Sequence, residues 1–244
     1  MWFPRASVLI VAFACGSPGV SDPHAHQTEV ISRVRAQQAI VEGFFGEPIP
    51  RAFDLDIEPT RATMIAAASR SWHVTELPCW AVAMGTASKL LLLEPTAWKV
   101  EACDHARDTD ADIDRVIAHE LVHVFHGQHH PRDPEFDRRD AEGIGWFAEG
   151  LAVYASGQLD AKRLQQVAEL VAHDGGPTRL VDAWSGPARY GVAGTLVRLV
   201  DQRMGRARLR ELLAATTNDE LLAGIGASEA ELLADWRRSV ASAP

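Results

Sequence analysis

Hydrophobic positions along this chain change period partway through. The first hundred residues mix helical and alternating spacing, and from Asp112 onward the spacing stays helical. Over 28–45, Val30, Ile31, Val34, Ile40, Val41, Phe44 and Phe45 recur at helical intervals, and Gly46 with Pro48 and Pro50 ends the run. Residues 52–57 alternate Phe53, Leu55 and Ile57 with Asp54 and Asp56, the pattern of a strand with one wet face. An Ala-rich helix is expected over 60–71, then strands over 80–84 and 89–93 joined through Gly85. Asp112 can cap a helix that runs to His126, with Gly127 as its stop. A polar loop over 129–142 separates it from a helix around 146–156, and further helices fit 161–173, 188–204, 208–216 and 228–240. A small mixed sheet followed by a run of helices is an α+β pattern.

Length and composition narrow the class. The 244 residues suit one good-sized core, and 47% hydrophobic with 23% charged residues is ordinary for a globular chain. A formal net charge of -9, with no concentrated Lys/Arg stripe, argues against a nucleic-acid partner. Near the start, Arg5 precedes a run over 6–14 that is apolar but for Ser7, too short to span a bilayer but suited to the core of an export signal. Ala12-Phe13-Ala14 fits small-x-small cleavage, and Cys15 follows at once; a small residue before Cys resembles the lipobox of bacterial lipoproteins, although Ala12 stands where Leu is usual. The expectation is an export signal over 1–14, a flexible tether over 15–27 and a single domain over 28–244. The mature chain would be secreted, or held at the cell envelope by lipid on Cys15. Cys79 and Cys103 then remain as an even pair, which an oxidising compartment would join in a disulfide.

The chemistry concentrates in His119-Glu120-Leu121-Val122-His123. Two histidines four apart on a helix lie about 40° apart around its axis, so both imidazoles reach one ion. Glu120 follows the first His and can take a proton from a water activated by that ion. Val116, Ile117, Leu121, Val122 and Phe125 give the helix an apolar side to bury. A catalytic zinc takes three protein ligands and keeps a fourth position open. Two residues compete for the third place. His129 lies ten after His119, the spacing of metzincin-type proteases, but Gly127 comes one residue late for their turn. Glu149 lies within Trp146-Phe147-Ala148-Glu149-Gly150-Leu151-Ala152-Val153-Tyr154.

The two runs together resemble the gluzincin peptidases, specifically the peptidase-MA-like domains: a His-Glu-x-x-His helix, then Trp-Phe/Leu-x-Glu-Gly-x-Ala-x-Tyr. The likeness continues through Tyr190-Gly191-x-Ala193-Gly194, Gly205 and the closing Leu233-Ala234-Asp235-Trp236-Arg237, with weaker agreement back to Phe45-Gly46. It implies a zincin-like fold, with the sheet of the N-terminal half packed on the metal helix and a helical C-terminal half. It further implies one zinc ion on His119, His123 and Glu149, Glu120 as general base, and an extended peptide substrate paired with the strand 89–93. Tyr190 becomes the better candidate to stabilise the oxyanion, against a plain packing role beside Trp184.

His126, His129 and His130 read as a solvated loop cluster, and Asp110, Asp112 and Asp114 as a helix start favoured by the dipole. The functional expectation is a zinc peptidase. Its rivals are a non-catalytic zinc-containing envelope domain that binds a partner in the same cleft, and a metzincin-like protease using His129.

Overall fold

Val30, Val34, Val41 and Phe45 form the buried face of the first helix, α1 (Pro23–Phe45). The computed structural model describes residues 23–106, 108–131 and 143–242, so the expected export signal, Cys15 and the loop 132–142 lie outside the described residues. The helix starts at Pro23 rather than at residue 28, inside the stretch expected to be a tether. Proline is tolerated there because the first helical N–H groups have no intrahelical partner.

Three strands follow. These are β1 (Asp54–Glu58), then β2 (Ala83–Thr86) and β3 (Lys89–Leu93), with helix α2 (Arg61–Trp72) between the first two. The sheet is mixed, in the order β1-β3-β2: β1 runs parallel to β3 and β2 antiparallel to it, so that Leu55 and Gly85 flank Leu90 on either side. Two expectations change here. Gly85 lies inside β2 rather than between strands, and the turn to β3 is Ala87–Ser88. The strand 89–93 is central, so it has no open edge to offer a substrate. Its leucines 90 to 93 are all fully buried, which is what an uninterrupted apolar run signals. The edge strands are β1 and β2, and of the two it is β2 that lines the cavity described below.

After α3 (Pro95–Glu101) comes the long helix α4 (Asp110–His129). Thr109, not Asp112, is its N-cap; Asp112 sits at the third helical position and closes a capping box. Asp110 and Asp114 pair with Arg33 of α1. Gly127 does not stop the helix. A Cβ there would lie 2.9 Å from the backbone nitrogen of Ala87, so this glycine serves close packing of α4 on the β-hairpin.

The C-terminal half is helical: α5 (Gly145–Ala155), α6 (Ala161–Asp174), α7 (Arg189–Met204), α8 (Arg206–Glu211), α9 (Asn218–Ile225) and α10 (Glu229–Ala241), with 3₁₀ turns at Leu180–Trp184 and Leu212–Ala214. The fold is α+β, as the sequence pattern indicates. α4 packs against α1, β2 and α5, and α5 in turn against α7, so the central helix is enclosed between the sheet and the helical half. Cys79 and Cys103 form a disulfide that ties the segment before β2 to the end of α3. No described helix is long and apolar enough to cross a membrane.

Candidate metal and catalytic site

His119 and His123 project from one face of α4, and Glu149 from the middle of α5, which packs alongside. All three side chains are buried, at 7%, 3% and 8% exposure. Their donor atoms form a small triangle. His119 Nε2 and His123 Nε2 are 3.1 Å apart, and Glu149 Oε2 lies 3.3 Å from the first and 3.6 Å from the second. Three ligands bonded to one zinc at about 2.0–2.1 Å with tetrahedral angles stand about 3.3–3.4 Å from one another. The triangle has that size, and two imidazoles with a carboxylate suit zinc among other divalent ions. Among the described residues this is the group of His, Cys, Asp and Glu side chains that can hold a metal.

The histidine ring is oriented from behind. His119 Nδ1 lies 3.0 Å from Gln158 Oε1, which makes Nδ1 an N–H donor and leaves Nε2 facing Glu149. Gln158 is itself held by donating to the Arg115 carbonyl. Nothing in the spacing of the sequence marks Gln158; it reaches the site because the chain turns through Gly157 after α5 and comes back over α4. Burial alone would pull the His119 imidazole down, but Glu149, Glu120 and Gln158 outweigh it and hold the ring above its ordinary value.

Glu120 lines the same cleft, and its Oε2 accepts the backbone N–H of Gly85 at 2.7 Å. Gly85 belongs to the free-edged strand β2, so the carboxylate is positioned by the strand that walls the cleft. Tyr190, in the first turn of α7, also lines it. Its ring centre is 6.5 Å from that of His119 and 4.8 Å from that of Trp184, edge to face in both cases. Tyr190 thus lines the cleft and also packs on Trp184, so its position does not choose between the two readings of it. Burial and the nearby Glu149 raise the Tyr190 phenol above its ordinary value, against a partial opposing effect of Arg189. The hydroxyl stays protonated and able to donate. The other tyrosine, Tyr154, donates instead to Asp201 at 2.9 Å, within a network with Arg206.

His129 does not join the triad. Its Nδ1 bonds the Phe125 carbonyl at 2.8 Å, its Nε2 bonds Glu47 at 2.9 Å, and its ring stacks on Phe125. His126 and His130 are buried rather than solvated: His126 lies within α4 and packs edge-to-face on Phe147, and His130 caps the helix, its backbone N–H donating to the His126 carbonyl. His173 is exposed on α6.

The cavity over the triad is about 530 Å³. It is lined by His119, Glu120 and His123 of α4, by Glu149 of α5, by strand β2, and by Trp184, Arg189 and Tyr190. No protein-family model, curated protein or solved structure matches this chain.

Proposed function

We propose that this chain is a zinc peptidase of the gluzincin type, with the ion held by His119, His123 and Glu149. The observation that carries the reading is the donor triangle with edges of 3.1, 3.3 and 3.6 Å, sunk in a cleft beside a second carboxylate that is not part of it. A zinc ion there supplies Lewis acidity, lowering the pKa of water toward neutrality and polarising a carbonyl.

The chain's own groups then have distinct tasks. Glu120 accepts the proton of the attacking water and delivers it to the leaving nitrogen as the C–N bond breaks. Its Oε2 is pinned by Gly85, and no hydrogen bond among the described residues engages its other oxygen. Tyr190 donates its hydroxyl proton in a hydrogen bond to the carbonyl oxygen as charge develops there. The substrate lies extended along the free edge of β2, pairing main chain to main chain. That Glu120 faces the cleft favours this reading over a zinc-containing binding domain, which has no use for a base. The proposal includes export, supported by the Cys79–Cys103 bridge, since such bonds persist in oxidising compartments.

The test combines metal and turnover. Purified protein should carry one zinc per chain and hydrolyse a quenched-peptide mixture, and a chelator should stop it. Glu120→Gln should keep the zinc and lose activity by a factor of about 10² or more. A variant that keeps zinc and cleaves at the parent rate would falsify the assignment of the base.

A further inference from the structure

Residues 73–82, between α2 and β2, contain no helix or strand, yet their backbone is clasped at five consecutive carbonyls. The Arg61 guanidinium, from the first turn of α2, donates to the carbonyls of Leu77, Pro78, Cys79 and Ala81. The Trp80 carbonyl, between them, is taken by His105 Nε2 at 2.9 Å. Cys79 is further fixed by its disulfide and by the backbone N–H of Cys103. Irregular chain is ordinarily the mobile part of a fold, and ordering it costs about 1–2 kcal/mol per residue. Here the ordering is built in.

What this rigid segment presents to the cleft is apolar. Trp72, Val74, Leu77 and Trp80 line the same cavity as His119, Glu120 and Glu149, with Met84 of β2 beside them. Trp80 is 44% exposed, one of the few large hydrophobic side chains left in that state. Core packing does not need an indole held half in water by a fixed backbone. An aromatic wall fixed in place beside a reacting centre, by contrast, binds a large apolar side chain at low entropic cost.

We propose that residues 72–84 form a preorganised subsite that selects a peptide carrying a large apolar, preferably aromatic, side chain next to the bond to be cut. Arg61 acts as a positioning residue that holds its wall. The inference rests on the peptidase reading, because the occupant is defined by its place beside the metal triad. The wall runs directly into β2, whose Met84 lines the same cavity and whose outer edge pairs with no strand among the described residues. A peptide extended along that edge therefore directs alternate side chains toward the indole of Trp80.

The test uses zinc-loaded Glu120→Gln protein, which binds without cutting, and blocked hexapeptides that differ only by Phe, Ala or Glu at one position. Calorimetry should show the Phe peptide binding about tenfold or more tighter than the Ala peptide at one position, and the Glu peptide weaker still. Adding Trp80→Ala should remove most of that preference while leaving the Ala peptide within about twofold. Adding Arg61→Lys, which keeps the charge but cannot span four carbonyls, should lower the Phe-to-Ala ratio at unchanged zinc content. A merely structural Arg61 would lower the melting temperature and leave the ratio alone. Equal binding of the Phe and Ala peptides at every position, or an equal loss for both in Trp80→Ala, overturns the subsite. If the parent protein with zinc cleaves no peptide while the Phe preference persists, the peptidase reading falls and the subsite stands.

Discussion

The backbone N–H of Gly85 donates to the Glu120 carboxylate at 2.7 Å, and the two residues also meet through their backbones. A Cβ on Gly85 would lie 2.1 Å from the Glu120 carbonyl oxygen, far inside van der Waals contact. Strand β2 and helix α4 therefore cross as closely as a glycine permits, and that closeness brings the strand's free edge over the histidine pair.

Gly85→Ala should consequently damage the site and not only the fold. The added methyl must push β2 away from α4, at a cost of about 1–3 kcal/mol by the usual penalty for overpacking. The same displacement lengthens the hydrogen bond to Glu120. The expected outcome is a lowered thermal midpoint together with a loss of peptide hydrolysis larger than any loss of zinc, since the proposed metal ligands lie on α4 and α5. Melting curves, zinc content and turnover on one preparation check this. Full activity in Gly85→Ala would show that the Gly85–Glu120 bond has no part in the reaction.

Gln158 offers a second check, through a residue that touches no metal. Replacing it with Leu removes the acceptor on His119 Nδ1, which lies 3.0 Å away, and frees the ring to choose the other tautomer. Loss of such a supporting hydrogen bond typically costs about 10–100-fold in metal affinity. Competition with a chelator of known strength should register that drop in Gln158→Leu, and Gln158→Glu, which restores an acceptor, should recover it. Unchanged affinity in the Leu variant would mean the ring is oriented by its packing alone.

The reach of the sequence follows from these same residues. Periodicity locates α4, α6 and α10 because each keeps a polar side and an apolar side, a local pattern, whereas α5 is apolar and buried nearly all round and shows as a continuous apolar run. His119, Glu120 and His123 are legible for the same reason, since their spacing along one helix is their geometry. Glu149 is not local to them; only the resemblance of the surrounding Trp-Phe-Ala-Glu-Gly run points to it. The close crossings at Gly85 and Gly127 depend on which strand lies over which helix, and single-chain spacing holds no record of that. Gly127 thus reads as a helix stop when it is a packing contact. Leucines 90 to 93 do carry a signal, continuous apolarity, that marks a central strand rather than a cleft edge. The short helices α3 and α9 are too brief for periodicity to register.

Away from the cleft, Asp201 of α7 ties the helical half to α1. It accepts from Arg206 at 2.7 Å and from the Tyr154 hydroxyl at 2.9 Å, while Arg206 donates to the Phe44 carbonyl. Burial pushes the Asp201 carboxyl up, but Arg206 and Tyr154 outweigh it and hold it below its ordinary value. A carboxylate with a depressed folded pKa stabilises the fold above its unfolded pKa, and that contribution is lost as pH falls through the folded value. Asp201→Asn should therefore cost about 2–3 kcal/mol near neutral pH, less than a fully buried pair because Arg206 is partly exposed. The gap between parent and variant should close as pH falls from the ordinary carboxylate range through the lower folded value of Asp201, since both then lack the charge. Thermal midpoints across that range measure it, and a gap that stays constant with pH would contradict the ionic account.

The sharpest question concerns the third ligand, and it can be answered without a substrate. If the ion is held by His119, His123 and Glu149, Glu149→Ala removes one of three protein ligands and the negative charge with it, so zinc content after dialysis against a mild chelator should fall steeply. His129→Ala should leave the zinc content nearly unchanged, because both its ring nitrogens are engaged elsewhere, by Phe125 and Glu47. A metzincin-like site demands the reverse, with His129 essential and Glu149 replaceable. Glu149 sits among fully buried residues of α5, so its loss can disturb the helix. Glu149→Gln, nearly the same in shape and still able to offer an oxygen, separates the two effects: it should fold like the parent and bind zinc more weakly, for want of the charge. His129→Ala has its own structural cost, the hydrogen bond to Glu47 and the stack on Phe125, which should appear in the melting curve and not in the metal content. Zinc retained at the parent level in both Glu149 variants would remove Glu149 from the ligand set, and with it the triangle on which the zinc assignment stands.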